Sequence, residues 1–222
     1  MRWFKFLAPD AVGPFSGYRW PAPPEHDGPG EWVTANQTPD PCRGGLHLLR
    51  EADLPFWLHE ELYTVEVEGA VEEHPSFALA RRARLLHRVG AWGQESAYRF
   101  SRDCAWRVRD LTVEALRGAG HHRQAELMAR CAALDELAGA AQQAGGGVDA
   151  GLATLVGYAG DAAAYAASAE AGSGWAAVCA TTGFIAATAA RHAAGQGTGH
   201  EAPTTEREAQ AHWIARLAVA PG

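Results

Sequence analysis

The segment Cys42-Arg43-Gly44-Gly45-Leu46-His47 sets a thiol, a guanidinium and an imidazole around two glycines. Glycine lets the backbone approach a ligand closely. Arg43 can grip a carboxylate or phosphate through two parallel N–H bonds, and His47 can move a proton near neutral pH. If Gly45 to Leu49 is a strand, His47 faces away from Leu46 and Leu48. Cys42 becomes a nucleophile only where its pKa is lowered, and Arg43 is the neighbour that could lower it. The same residues also read as a glycine turn feeding a strand that carries a half-buried histidine.

A second grouping is acidic. Glu66 and Glu68 fall on one face of an alternating stretch, with Glu60, Glu61, Glu72 and Glu73 close in sequence. Paired carboxylates can do acid–base work or hold a divalent cation, although such a row is also what a solvated strand face looks like. A third is the helical face Arg99, Arg102, Asp103, Trp106, Arg109 and Asp110, whose mixed signs at i+3 and i+4 suit local ion pairs. Its functional reading puts Arg102 and Trp106 on a ligand groove between two halves of the chain. The fourth is Asp161 with Tyr165, which share a face at i and i+4 on an alanine-lined helix. There the carboxylate needs either solvent or a partner. The candidate catalytic residues are therefore His47, Arg43 and Glu66. The candidate ligand-binding residues are Arg102, Trp106, Asp161 and Tyr165.

Other chemistries lack their spacing. The histidines, among them His121, His122, His192, His200 and His212, show neither H-x-x-x-H nor H-E-x-x-H, so no metal site is expected. No Walker-type, dinucleotide-binding or nucleophile-elbow glycine motif occurs. Cys42, Cys104, Cys131 and Cys179 are scattered, which points to free thiols in a reducing cytoplasm rather than to a disulfide framework. The net charge of -7 leaves no cationic excess for a nucleic-acid backbone. No run approaches the roughly 20 apolar residues of a membrane span, and the short apolar start Trp3 to Leu7 is not that of a signal peptide. Lys5 is the only lysine among 19 basic residues, and with the abundant alanine and glycine this is what a GC-rich bacterial genome writes.

The elements that must position these residues fall into two regions of the 222-residue chain. Residues 1–90 carry proline-rich turns and short apolar runs. Strands are expected over Arg2 to Leu7, Glu31 to Thr34 and Gly45 to Leu49, and a short helix capped by Asp53 over Leu54 to Glu61. The clearest strand is Leu62 to Gly69, where Tyr63, Val65 and Val67 alternate with Thr64, Glu66 and Glu68. Ala83 to Val89 suits a strand or a helical turn. Over residues 91–222 the period becomes helical: Ala97, Phe100, Cys104, Val108, Leu111 and Ala115 form one stripe, and Gly118 and Gly120 stop it. Further helices are expected over His121 to Ala144, from Asp149 to Ser168, from Ser173 to Ala194, and from a Thr205/Glu208 capping box onward. The expected fold is α+β, a small β-rich unit packed on an alanine-rich bundle of about five helices. Its larger side chains, from Trp106, Leu127, Met128 and Leu134 through Leu155, Tyr158, Trp175, Phe184, Ile185 and Trp213, are expected to fill the core.

Two resemblances attach to these residues. Residues 1–90, through Arg43-Gly44-Gly45-Leu46-His47, Asp53-Leu54-Pro55 and Tyr63 to Gly69, resemble an uncharacterised bacterial and phage domain with a C-x-x-G-[LF]-H turn and a V-E-x-x-G strand. The Gly45-Leu46-His47 segment is also similar to the G-F-Y strand that lines the NAD cleft of ADP-ribosyltransferase-like folds, which implies a cleft position for His47. The chain matches neither the first-strand Arg or His nor the catalytic Glu of that fold, so the likeness is one of fold. Arg99 to Ala105 and the alanine-rich helices as far as Trp213 resemble the helical domain of bacterial immunity proteins. That resemblance implies an accessory protein gripping a protein partner through its helical half. The alternative is a small enzyme taking a small-molecule ligand between the halves, for ADP-ribosyl transfer or tailoring of a secondary metabolite. Cofactor and oligomeric state stay open, and neither nucleic acid nor membrane is expected as a partner.

Overall fold

The computed structural model describes residues 1–24, 28–35, 44–169, 174–195 and 204–218. The fold is α+β, an antiparallel sheet followed by helices. The chain divides into two units, Met1–Gly93 with Ala211–Gly222, and Gln94–Gln210.

In the first unit, β1 (Trp3–Leu7), β2 (Val33–Thr34), β3 (Leu46–Leu48), β4 (Glu61–His74) and β5 (Phe77–Arg88) form one antiparallel sheet. β4 and β5 make a long hairpin, and β1 pairs with β4. One edge of β5 serves two short partners, β3 opposite Ala78–Ala80 and β2 opposite Arg82–Ala83. Just past β3, Leu49 exchanges both backbone hydrogen bonds with Phe4 of β1, at 2.9 Å each. The path β1–β4–β5–β3 therefore returns to β1 through this one bridge and the sheet closes on itself there, while β2 pairs with β5 alone. Closure needs curvature. Register shifts between Thr64 and Val65 and between Glu68 and Val71 supply it, the second at Gly69, whose φ of 90° is open to glycine.

Alternation along β4 follows its sequence. Tyr63, Val65 and Val67 turn into a core shared with Leu7, Trp20, Leu48, Ala83 and Leu85, while Glu66 and Glu68 face outward. The strand runs past the expected end at Gly69 to His74, and β5 begins at Phe77 rather than near Ala83. The short helix is a 3-10 turn over Glu51–Phe56. Asp53 sits inside it, with its carboxylate reaching back to the Arg50 backbone N–H at 2.9 Å.

Lys5 lies on the same side of β1 as Trp3 and Leu7. Its Nζ donates to the His47 carbonyl at 2.7 Å and stands 4.6 Å from the centre of the Trp20 ring. Among the described residues it has no carboxylate partner, and burial pulls its pKa from 10.5 down to about 8.

The helices are α1 (Gln94–Gly118), α2 (His122–Ala129), α3 (Leu134–Ala144), α4 (Ala150–Ser168), α5 (Trp175–Gly195) and α6 (Thr204–Leu217). Asp149 caps α4 by accepting the Leu152 N–H at 3.0 Å, and Gly145 closes α3. The proposed Ser173 cap lies outside the described residues. The helix expected over His121 to Ala144 is two helices, so the described residues hold six rather than five. No glycine or proline marks the break. It is made by Glu136, whose carboxylate accepts the Ala132 and Ala133 N–H groups at 2.8 and 3.2 Å and so opens a new helix. Among the described residues no helix is long and apolar enough to cross a membrane.

The core of this unit also differs from expectation. Phe184 is 63% exposed and Leu127 38% exposed, and Trp106, Tyr158, Trp175 and Ile185 are only half-buried. Alanines carry much of the interior instead, among them Ala105, Ala141, Ala159, Ala163, Ala166 and Ala189, together with Phe100, Val108, Leu116, Leu137 and Leu155. Small side chains let helices approach until little room is left for large ones. At the approach of α3 to α4, a methyl group placed on Gly160 would stand 3.0 Å from Cβ of Ala141.

Two outcomes follow. Gly160→Leu overpacks this approach and should cost about 1–3 kcal/mol, read as a lowered Tm; a melt superimposable on wild type would mean that the two helices do not pack at this spacing. Lys5 binds its proton more weakly folded than unfolded. Below about pH 8 both states are charged and the fold carries the full cost of the buried ammonium. Between about 8 and 10.5 the unfolded chain alone holds the proton, so stability rises with pH. Chemical denaturation of wild type against Lys5→Met should show this rise as a difference of up to about 3 kcal/mol, and a pH-independent difference would remove Lys5 from the buried state assigned to it.

Candidate functional site

α1 uses three stripes of its surface. One is buried: Ala97, Phe100, Ser101, Cys104, Ala105, Val108 and Thr112. A second carries Arg107, which forms a bidentate pair with Glu206 of α6 at 2.8 and 2.9 Å. Buried Gln210 extends it, donating to Glu206 at 2.7 Å and to the Gly183 carbonyl of α5 at 3.0 Å. Burial opposes the charge of Arg107, but the hydrogen bond to Glu206, together with the neighbouring Cys104 and Asp103, outweighs it and keeps the guanidinium pKa above its ordinary value.

The third stripe is Tyr98, Arg102, Trp106 and Arg109, at steps of i+4, i+4 and i+3, which lie on one helix face. It forms one wall of a cavity of about 800 Å³. The opposite side is built by Cys131, Ala132 and Ala133, at the break between α2 and α3, and by Leu134, Asp135 and Ala167. Every lining residue belongs to the helical unit. Arg109 lies 4.5 Å over the Trp106 ring and is held there by Asp110 at 2.7 Å and by the Cys131 carbonyl at 3.3 Å. Arg102 is exposed and makes no hydrogen bond or ion pair among the described residues. Two guanidinium groups and one carboxylate thus face a cavity with two aromatic rings, in a chain that is acidic as a whole.

Of the candidate residues, Arg102 and Trp106 come together here. Asp161 and Tyr165 are exposed on α4, and Tyr165 is turned about 200° around the helix axis from Ala167, the α4 residue in the lining. His47 and Glu66 belong to the sheet unit. Their partners on β5, Leu79 and Arg84, are five residues apart, about 16 Å along a strand. The His47 ring lies among Phe77 and Trp57, at 5.0 and 6.4 Å between centres. Glu66 pairs with Arg84 at 2.6 Å and Glu68 with Arg82 at 2.7 Å, both across the hairpin, and Trp32 stacks on both arginines. Arg43 and Cys42 lie outside the described residues. Tyr98 could have been found by stepping four residues back from Arg102. Cys131 to Asp135 carry no such signal, because their position depends on the unforeseen helix break.

No described thiol is poised as a nucleophile. Burial raises the pKa of Cys104, pushes Cys179 up to about 12 and raises that of Cys131, to which Glu136 also contributes. Among the described residues no three His, Cys, Asp or Glu side chains converge as a metal site would require. Comparison with protein-family models, curated proteins and solved structures returns no match.

In a Cys42→Ser background, iodoacetamide should alkylate Cys131 more slowly than a free cysteine peptide at neutral pH, while Cys104 and Cys179 react only on unfolding. Fast labelling of Cys131 at pH 7, located by mass spectrometry, would contradict this assignment.

Proposed function

We propose that this chain is a binding protein of the immunity or accessory type, which grips a protein partner through its helical unit. The carrying observation is the composition of the α1 wall. Tyr98, Arg102, Trp106 and Arg109 are all of the three residue types that dominate binding hot spots, and they are grouped in a concave site. Each gives a large contact area or a forked donor set at small entropic cost. Arg109 is already fixed on Trp106, so part of the ordering that binding demands is made in advance. In the sheet unit, Glu66 is paired with Arg84 and the His47 ring lies against Phe77. The likeness of Arg99 to Ala105 to the immunity-type helix start agrees with it.

The products of genes adjacent to this one are the natural candidate partners, and titration calorimetry tests them. Arg102→Ala and Trp106→Ala should each weaken binding by about 30-fold, the mark of a hot spot worth about 2 kcal/mol. A partner bound equally well by both variants would sink the helical-unit assignment.

A further inference from the structure

Resting on the reading of the helical unit as the gripping surface, we infer that the cavity takes an extended acidic segment of the partner, with a carboxylate on Arg102 and apolar side chains two residues to either side on Tyr98 and Trp106. The spacing carries this. Tyr98 and Trp106 each stand four residues from Arg102, about 6 Å along a helix axis. In an extended chain, side chains on one face recur every second residue, about 6.6 Å apart. A pattern of aromatic–x–acid–x–aromatic therefore meets ring, guanidinium and ring in register. Charge gives the sign. Arg102 has no anion among the described residues, whereas Arg109 is committed to Asp110 and to the Cys131 carbonyl. Asp135 is the one carboxylate of the lining, and it disfavours a second acid beside it. The alanines of the opposite wall leave room for backbone and present little that competes for Arg102.

The probe is the capped pentapeptide Phe-Ser-Glu-Ser-Phe, followed by Trp fluorescence of the full-length protein and by calorimetry. Three controls accompany it: the same peptide with Gln for Glu, a register-shifted Phe-Phe-Glu-Ser-Ser, and phenylacetate as a free arene carboxylate. The expected result is saturable binding of the first peptide that weakens with added salt. The Gln peptide, the shifted peptide, and the Arg102→Gln and Trp106→Leu variants should each lose about tenfold or more. Arg123→Gln, an equal charge change on an exposed α2 residue outside the lining, should lose nothing. Equal binding of the Glu and Gln peptides, or no binding of either, overturns the acidic assignment. Phenylacetate binding as tightly as the pentapeptide overturns the peptide assignment in favour of a small molecule. Competition separates this inference from the reading beneath it. A partner lost in Arg102→Ala yet not displaced by the pentapeptide leaves the partner reading standing and removes the acidic segment. A pentapeptide that binds through Arg102 but leaves the partner in place does the reverse.

Discussion

A single 25-residue helix has to divide its surface among several neighbours at once, and the rest of the helical unit is arranged around that requirement. α1 buries one stripe against α4 and α5, ties a second to α6 through Arg107 and Glu206, and lines the cavity with a third. A helix has about 360° to divide, so each stripe must be narrow. The buried one is made narrow by small residues such as Ala97, Ser101 and Ala105, which let the neighbours come close without spreading around the helix. Trp106 and Tyr98 are consequently not needed as filling. They stand half-buried at the edge of the packed surface, lining the cavity.

The cavity exists because the neighbouring segment does not continue as one helix. Had α2 and α3 been one rod, the chain near Cys131 would have presented a continuous surface to α1. Glu136 instead satisfies two backbone donors ahead of α3, and the Cys131 carbonyl is left to hold Arg109. One carboxylate thereby shapes the far wall, and the break it permits fixes one of the two guanidinium groups on the near wall. The other, Arg102, stays uncommitted.

The sheet unit shows how residues with chemical potential are absorbed by structure. In the sequence Glu66 and Glu68 form an acidic row of unknown use. In the fold each lies opposite an arginine, Glu66 against Arg84 and Glu68 against Arg82, and Trp32 covers both arginines. Such a ladder fixes hairpin register, since a slip of one residue would put like faces out of step. Lys5 plays a comparable part at the closure of the sheet, where its amine reaches from β1 to the His47 carbonyl.

Period and punctuation in the sequence determined which stretches are strands and which are helices. Tyr63, Val65 and Val67 alternate, the Phe100 to Ala115 stripe steps by three and four, Asp149 caps, and Gly118 and Gly145 stop. These are local preferences of the backbone and of side-chain direction, carried by each segment wherever it lies. The pairing of Glu66 with an arginine eighteen residues away, the exposure of Phe184, the break before Leu134 and the meeting of Arg102 with Cys131 and Asp135 were decided only by the tertiary structure. Each depends on which surface arrives opposite, and an isolated segment has no means of expressing that.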